Sequence, residues 1–257
     1  MSHLIIKFKS HFKIKSQNIK MSINQQDEFG NTSLFNASNQ CDLILVRELL
    51  KDGANPNIQN YDSDAPIHMA ILQICPDVVL ELLKGGANPN VLNYDGYSPI
   101  QLAIYSILPS YSGAQRDTLV QIVKYLVNYK ADTNLIDPQG FCPIHIAILR
   151  GIIELVKILL DGGGNPNIED KEGNNPLVFS VYQNNKDIVA LLIQYGSLNI
   201  EGNFAKTPLD YAIFFGFANI AQLLKNLRVC TVRVKPNMQN CNFPKKIAGR
   251  SLSYILN

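Results

Sequence analysis

No run of about 18 consecutive apolar residues occurs in this chain of 257 residues, so no membrane-spanning helix is expected. The basic start lacks the apolar core and small-residue cleavage site of a secretory leader, and no cleaved signal is expected either. The five cysteines, at 41, 75, 142, 230 and 241, are odd in number and contain no CxxC pair. That pattern supports neither a disulfide framework nor a structural zinc site, and a reducing compartment is the simpler reading. The cytoplasm is therefore the expected location, of the producing cell or of a host cell.

Acid is missing from both ends. Residues 1–26 carry five lysines and no carboxylate, and residues 228–257 carry six bases and no carboxylate. With those eleven set aside, 12 basic and 21 acidic residues leave the middle at −9. An acidic body argues against a nucleic-acid groove, and basic ends of this kind read first as solvated tails.

What is present is an internal repeat. Asp62-Ser-Asp-Ala-Pro-Ile-His-Met-Ala70 aligns with Asp95-Gly-Tyr-Ser-Pro-Ile-Gln-Leu-Ala103 and with Gln139-Gly-Phe-Cys-Pro-Ile-His-Ile-Ala147. Glu172-Gly-Asn-Asn-Pro-Leu-Val-Phe-Ser180 and Phe204-Ala-Lys-Thr-Pro-Leu-Asp-Tyr-Ala212 complete the series. The prolines at 66, 99, 143, 176 and 208 lie 33, 44, 33 and 32 residues apart, and an earlier copy, Glu28–Ala37, has Ser33 in the proline's place. A second motif recurs in step: Asp52-Gly-Ala-Asn-Pro-Asn57, Gly85-Gly-Ala-Asn-Pro-Asn90, Lys130-Ala-Asp-Thr-Asn134, Gly162-Gly-Gly-Asn-Pro-Asn167 and Gly196-Ser-Leu-Asn199.

Each unit reads as a helix pair. Proline suits a first helical turn, where its missing N–H would have no partner. Ile67 with Ala70, and Ile144 with Ala147, share one side of a short helix. Val79, Leu82 and Leu83, or Val156, Leu159 and Leu160, give the second helix its apolar stripe. Glycine then ends that helix, and Asn-Pro-Asn is turn chemistry. One unit cannot bury its own apolar face, so several must stack.

These motifs resemble the ankyrin repeat, over about residues 27–227. The resemblance implies an all-α solenoid of six helix–turn–helix repeats with β-hairpin fingers. Residues 1–26 are then a basic extension, with Met21 an alternative start, and residues 228–257 are a second extension with a terminal helix. The third repeat carries 11 extra residues near 106–118, a turn-rich segment that reads as a surface insertion, or as an added contact through Tyr111 or Arg116. Phe243–Leu256 in the tail is loosely similar to the F-box-like end of poxvirus ankyrin proteins and to the SOCS box. A cap over the last repeat is the alternative for that segment.

The expected function is binding another protein through the concave surface of fingers and first-helix edges, without cofactor, metal or catalysis, as a monomer. In register, those positions include Tyr61, Tyr94, Tyr97, Tyr105, Phe141, Leu149, Arg150 and Tyr182. An aromatic row of this kind suits an interface, although its rings could instead pack between neighbouring fingers. Asp62, Asp95, Glu169 and Glu172 imply a partner that is not strongly acidic. The other reading is a substrate receptor of a ubiquitin ligase, of pathogen or viral origin, whose tail recruits the scaffold. His68 and His145 recur at one repeat position and read as structural. Cys142 and His145, three apart, form the one nucleophile–base spacing, but Cys142 fills the usual threonine position and nothing suggests an orienting third group.

Overall fold

The first helix of each pair begins where proline permits. In the computed structural model, which describes residues 23–202, 206–225 and 229–230, the helices are α1 Ser33–Asn39, α2 Leu43–Lys51, α3 Pro66–Leu72, α4 Pro76–Lys84, α5 Pro99–Tyr105, α6 Gly113–Asn128, α7 Pro143–Leu149, α8 Ile153–Asp161, α9 Pro176–Tyr182, α10 Lys186–Gln194, α11 Pro208–Phe214 and α12 Ala218–Leu224. The residues before the prolines, Ala65, Cys142, Asn175 and Thr207, are extended, as the proline ring demands of its predecessor. Where proline is absent, Thr32 caps α1 by accepting from Phe35 N at 3.1 Å. The strand pairing among the described residues is one short parallel ladder, Asn199–Ile200 with Val229–Cys230. Among the described residues the fingers close tightly on short backbone bonds, such as Asn60 N to Asp64 O and Ser63 N to Asn60 O.

The chain divides into two compact units. The first holds the described residues to Ala103 together with Asp117–Ala131, and the second holds Ile104–Arg116 and the described residues from Asp132 onward. In the first unit, α1 packs on α2 and α3, while α4 packs on α2 and α3. Ile67, Ala70 and Ile71 of α3 and Val79 and Leu82 of α4 are sealed from solvent. In the second, α9 packs on α7, α10 and α11, and α10 also touches α8 and α12. Its core is Ile144, Ala147, Leu155, Leu159, Leu177, Val181, Ile188 and Leu192.

Side-chain amides tie neighbouring repeats together. Asn57 donates to Gly86 O at 3.0 Å and accepts from Asn88 N at 2.7 Å. Asn134 makes the same pair with Gly163 O and Asn165 N, and Asn167 with Gly196 O and Leu198 N. The preceding Asn55, Asn88 and Asn165 each accept from the backbone two residues on, which forms the turn. The second asparagine of the Asn-Pro-Asn motif thus works between repeats, while the first works within one.

The third repeat departs from its siblings. Ile107 of the 106–112 loop is buried, and α6 runs 16 residues instead of nine. Ser112 and Gln115 form a reciprocal box at its start: Gln115 N donates to Ser112 Oγ at 3.3 Å, and Ser112 N to Gln115 Oε1 at 3.2 Å. Half of the inserted segment therefore lengthens a helix rather than forming a loop.

The cysteines also depart from the sequence-based expectation. Cys41 and Cys75 form a disulfide, with Cα atoms 5.9 Å apart, whereas Cys142 is a buried free thiol. The missing CxxC pattern reflects neighbours in sequence, but this pair meets across two stacked repeats, 34 residues apart.

Candidate finger-tip binding surface

An aspartate or asparagine builds each of the first five fingers. Asp27 accepts from Phe29 N and Asn31 N, Asn60 from Asp62 N and Asp64 N, Asn93 from Tyr97 N, Asp137 from Phe141 N, and Asp170 from Glu172 N and Asn174 N. This ring of short bonds bends the backbone and throws the next one or two side chains outward. Tyr61 and Tyr94 directly follow Asn60 and Asn93. Gly30, at φ +79°, completes the first finger, and a Cβ there would come within 2.7 Å of the Tyr61 ring. The Tyr61 ring therefore lies over the preceding finger.

In the first unit three fingers are laced together. Gln26 donates to Gln59 O at 3.0 Å, Gln59 donates to Leu92 O at 2.8 Å, and Tyr61 N donates to Phe29 O at 3.1 Å. On these fingers Phe29, Tyr61 and Tyr94 stand 63%, 71% and 81% exposed. Tyr97 is half-buried. The tips are also acidic: burial first, then the charges of Asp62 and Asp95, raises the Asp64 carboxyl above its ordinary range.

The candidates in the second unit are engaged with their own neighbours. The Tyr105 hydroxyl donates to Asp137 Oδ2 at 2.6 Å, and Arg150 donates to Tyr105 O at 2.6 Å. Phe141 meets Phe179 edge-on at 5.8 Å, and Tyr182 lies 5.0 Å from the Tyr211 ring and 5.6 Å from Phe215. Tyr105, Phe141, Leu149, Arg150 and Tyr182 are all half-buried. The register places Tyr61 and Tyr94 five residues before the repeat proline, Phe141 two before it, and Tyr105, Leu149 and Tyr182 six after it, but by itself does not say which of these places is exposed. The aromatic partners Phe179, Tyr211 and Phe215 are the signal that could have done so.

The histidines are structural joints. His68 Nδ1 accepts from Ala65 N at 3.0 Å, and its Nε2 donates to Val91 O at 3.1 Å, which pins the next repeat to the start of α3. Gln101 takes the same place by accepting from Ser98 N at 3.0 Å. Burial pushes both His68 and His145 down to about 4. Cys142 Sγ lies 3.2 Å from His145 Nδ1, but burial pushes the thiol up to about 12. Both groups are thus held neutral, and sealed from solvent, where a thiolate–imidazolium nucleophile needs charge and access.

Among the described residues no group of three metal-ligating side chains occurs, and no helix is long and apolar enough to cross a membrane. The basic segment 1–20, and the tail from 231 with its possible scaffold-docking helix, lie outside the described residues.

Comparison with known proteins meets this geometry. Family models described as ankyrin repeats match residues 92–170 and 153–235 (three copies), 49–103 (many copies) and 29–61 (a single repeat). A solved structure, that of the ankyrin repeat protein EF0377, covers 79% of this chain and is itself covered completely, with a TM-score of 0.66 and 25% identity. The human transient receptor potential cation channel subfamily A member 1 is 39% identical over 49 residues, 19% of this chain and 4% of the channel. The match thus spans a small fraction of that relative's length.

Proposed function

We propose that this chain, which belongs to the ankyrin-repeat family and shares its all-α solenoid fold, binds a partner protein at its finger tips, with Tyr61 and Tyr94 as the anchoring side chains. Ankyrin repeats are protein-interaction modules, and on this chain the finger tips are the site of contact. The observation that carries it is the pair of exposed tyrosines on fingers laced to one another. A rigid ring with a polar end gives large contact area at low ordering cost, which suits a hot spot. Asp62 and Asp95 sit beside the rings, so the partner's surface is neutral or basic rather than strongly acidic. Phe29 extends the same apolar line toward the first finger.

The test compares three baits in quantitative capture from a eukaryotic lysate: the intact chain, Tyr61→Ala/Tyr94→Ala, and Ile44→Ala, which removes an exposed side chain from α2. Losing two anchors is expected to weaken binding by at least about 30-fold, on the scale of about 1–2 kcal/mol per hot-spot ring. Proteins held by the intact chain and by Ile44→Ala, but lost by the tyrosine variant at unchanged thermal stability, support the finger-tip site. An identical bound set for all three baits overturns it.

A further inference from the structure

Two cysteines occupy turn and cap positions that other repeats fill with different residues. Cys41 lies in the turn between α1 and α2 at φ 56°, in the left-handed region. Ile74, Gly151, Asn184 and Gly216 hold the corresponding place in later repeats, and of these glycine and asparagine adopt that conformation most readily. Cys75 is the N-cap of α4 and, like Ile152 and Phe217 at matching positions, makes no side-chain cap bond, whereas Asp42 and Asn185 cap their helices by accepting from Leu45 N and Ile188 N. Neither cysteine is the best local choice at its position. What the two gain is each other: their Cα atoms are 5.9 Å apart, within the span a disulfide bridges, and the bond is present.

Access and placement point the same way. Cys41 is exposed and Cys75 half-buried, while the unbonded Cys142 is sealed in the core. The bond crosses from the α1–α2 turn to the start of α4, so it fastens one repeat to the next. The helices it reinforces, α1 and α2, pack on α3 and α4. The finger that leads into α1 carries Phe29, and its glycine lies beneath Tyr61.

We propose that Cys41 and Cys75 form a reversible thiol–disulfide site, reactive toward a low-molecular-weight disulfide such as oxidised glutathione, which locks the first helix pair onto the second. Oxidation proceeds in two exchanges. The more exposed Cys41 thiolate attacks a sulfur of oxidised glutathione, forms a mixed disulfide and releases one glutathione thiolate. Cys75 then attacks the Cys41 sulfur, forms the protein disulfide and releases the second glutathione. Two protein thiols are oxidised, one glutathione disulfide is reduced to two thiols, and the two protons leave with the products. Reduced glutathione runs the sequence backwards.

The experiment equilibrates the full chain at a series of oxidised-to-reduced glutathione ratios, quenches with an alkylating agent, maps the disulfides by mass spectrometry, and follows hydrogen exchange across residues 33–51. At oxidising ratios a Cys41–Cys75 linked peptide pair is expected. Exchange through α1 and α2 should slow by at least about tenfold, at the lower end of what closing a loop of this length contributes. Cys41→Ser and Cys75→Ser should each show the fast exchange of the reduced chain at every ratio. Failure to link the two at any ratio overturns the proposal, as does a map that joins either to Cys230 or Cys241 instead. Linkage without slower exchange overturns the lock. None of these outcomes depends on whether Tyr61 and Tyr94 bind a partner.

Discussion

At the residue scale the buried histidines set the response to acid. His68 and His145 are held down to about 4 by burial, below the ordinary 6.5. A base with a depressed folded value binds its proton more readily in the unfolded chain, so the full stability is present above 6.5 and is lost as pH falls toward 4. Each histidine accounts for up to about 3 kcal/mol of that loss. The raised carboxyls Asp64 and Asp170 act in the opposite sense near the acid end of the window. Gln101 shows how to remove the titration and keep the joint, since its Oε1 accepts the bond that the imidazole Nδ1 accepts elsewhere. His68→Gln/His145→Gln is therefore expected to flatten the decline in urea midpoint between pH 6.5 and 4, with little change at pH 7.5. A decline as steep as that of the parent chain would assign the acid sensitivity to other groups. That these histidines are structural was legible from their recurrence at one repeat position. The Val91 carbonyl that receives His68 was not, because it lies 23 residues away on the next finger.

At the scale of elements, the bridges between loops matter more than helix propensity. The first helices have seven residues each, too few to hold alone in water. Their ends are secured by proline, by caps, and by asparagines that reach into the following repeat. Asn57→Ala leaves Gly86 O and Asn88 N without their side-chain partner, and Asn167→Ala does the same to Gly196 O and Leu198 N. Each change should cost about 1–2 kcal/mol, since water can reach these exposed loops and recover part of the bonding. Urea unfolding of the two variants measures it, and a cost below about 0.3 kcal/mol would show that water replaces the bridge entirely. The helix that grew from the insertion gives a different lesson about legibility. Ser112-Gly-Ala-Gln115 is a serine followed three residues later by glutamine, a start signal present in the sequence. Turn formers around it, Pro109 and Gly113 among them, favour a loop over the whole segment, and the box decides where the loop ends.

For the molecule as a whole, apolar side chains are buried within each unit between helices of neighbouring repeats. Ile67 and Ile144 occupy the same repeat position in the first and second units, and neither is exposed. Truncating either to alanine opens a cavity of the same shape, and each is expected to cost about 2–5 kcal/mol, within about 1 kcal/mol of the other. Chemical denaturation of the two variants tests this, and a large disparity would mean that the units collapse around a lost side chain to different degrees.

The sequence by itself determined the repeat, its register, the helix pairs and their apolar stripes, because proline, glycine and a 3.6-residue periodicity act through the local backbone. It also marked the finger positions, where an aspartate or asparagine bends the chain within five residues. Only the tertiary structure decided which aromatic rings are free. Tyr94 stands on a finger and Tyr182 at the end of a first helix, and Tyr182 meets Tyr211 and Phe215 while Tyr94 meets solvent. It likewise decided that Cys41 would find Cys75, and that Asn57 would reach Gly86. Those outcomes depend on stacking, which brings together atoms some 30 residues apart in the chain, and no local signal encodes which of them will touch.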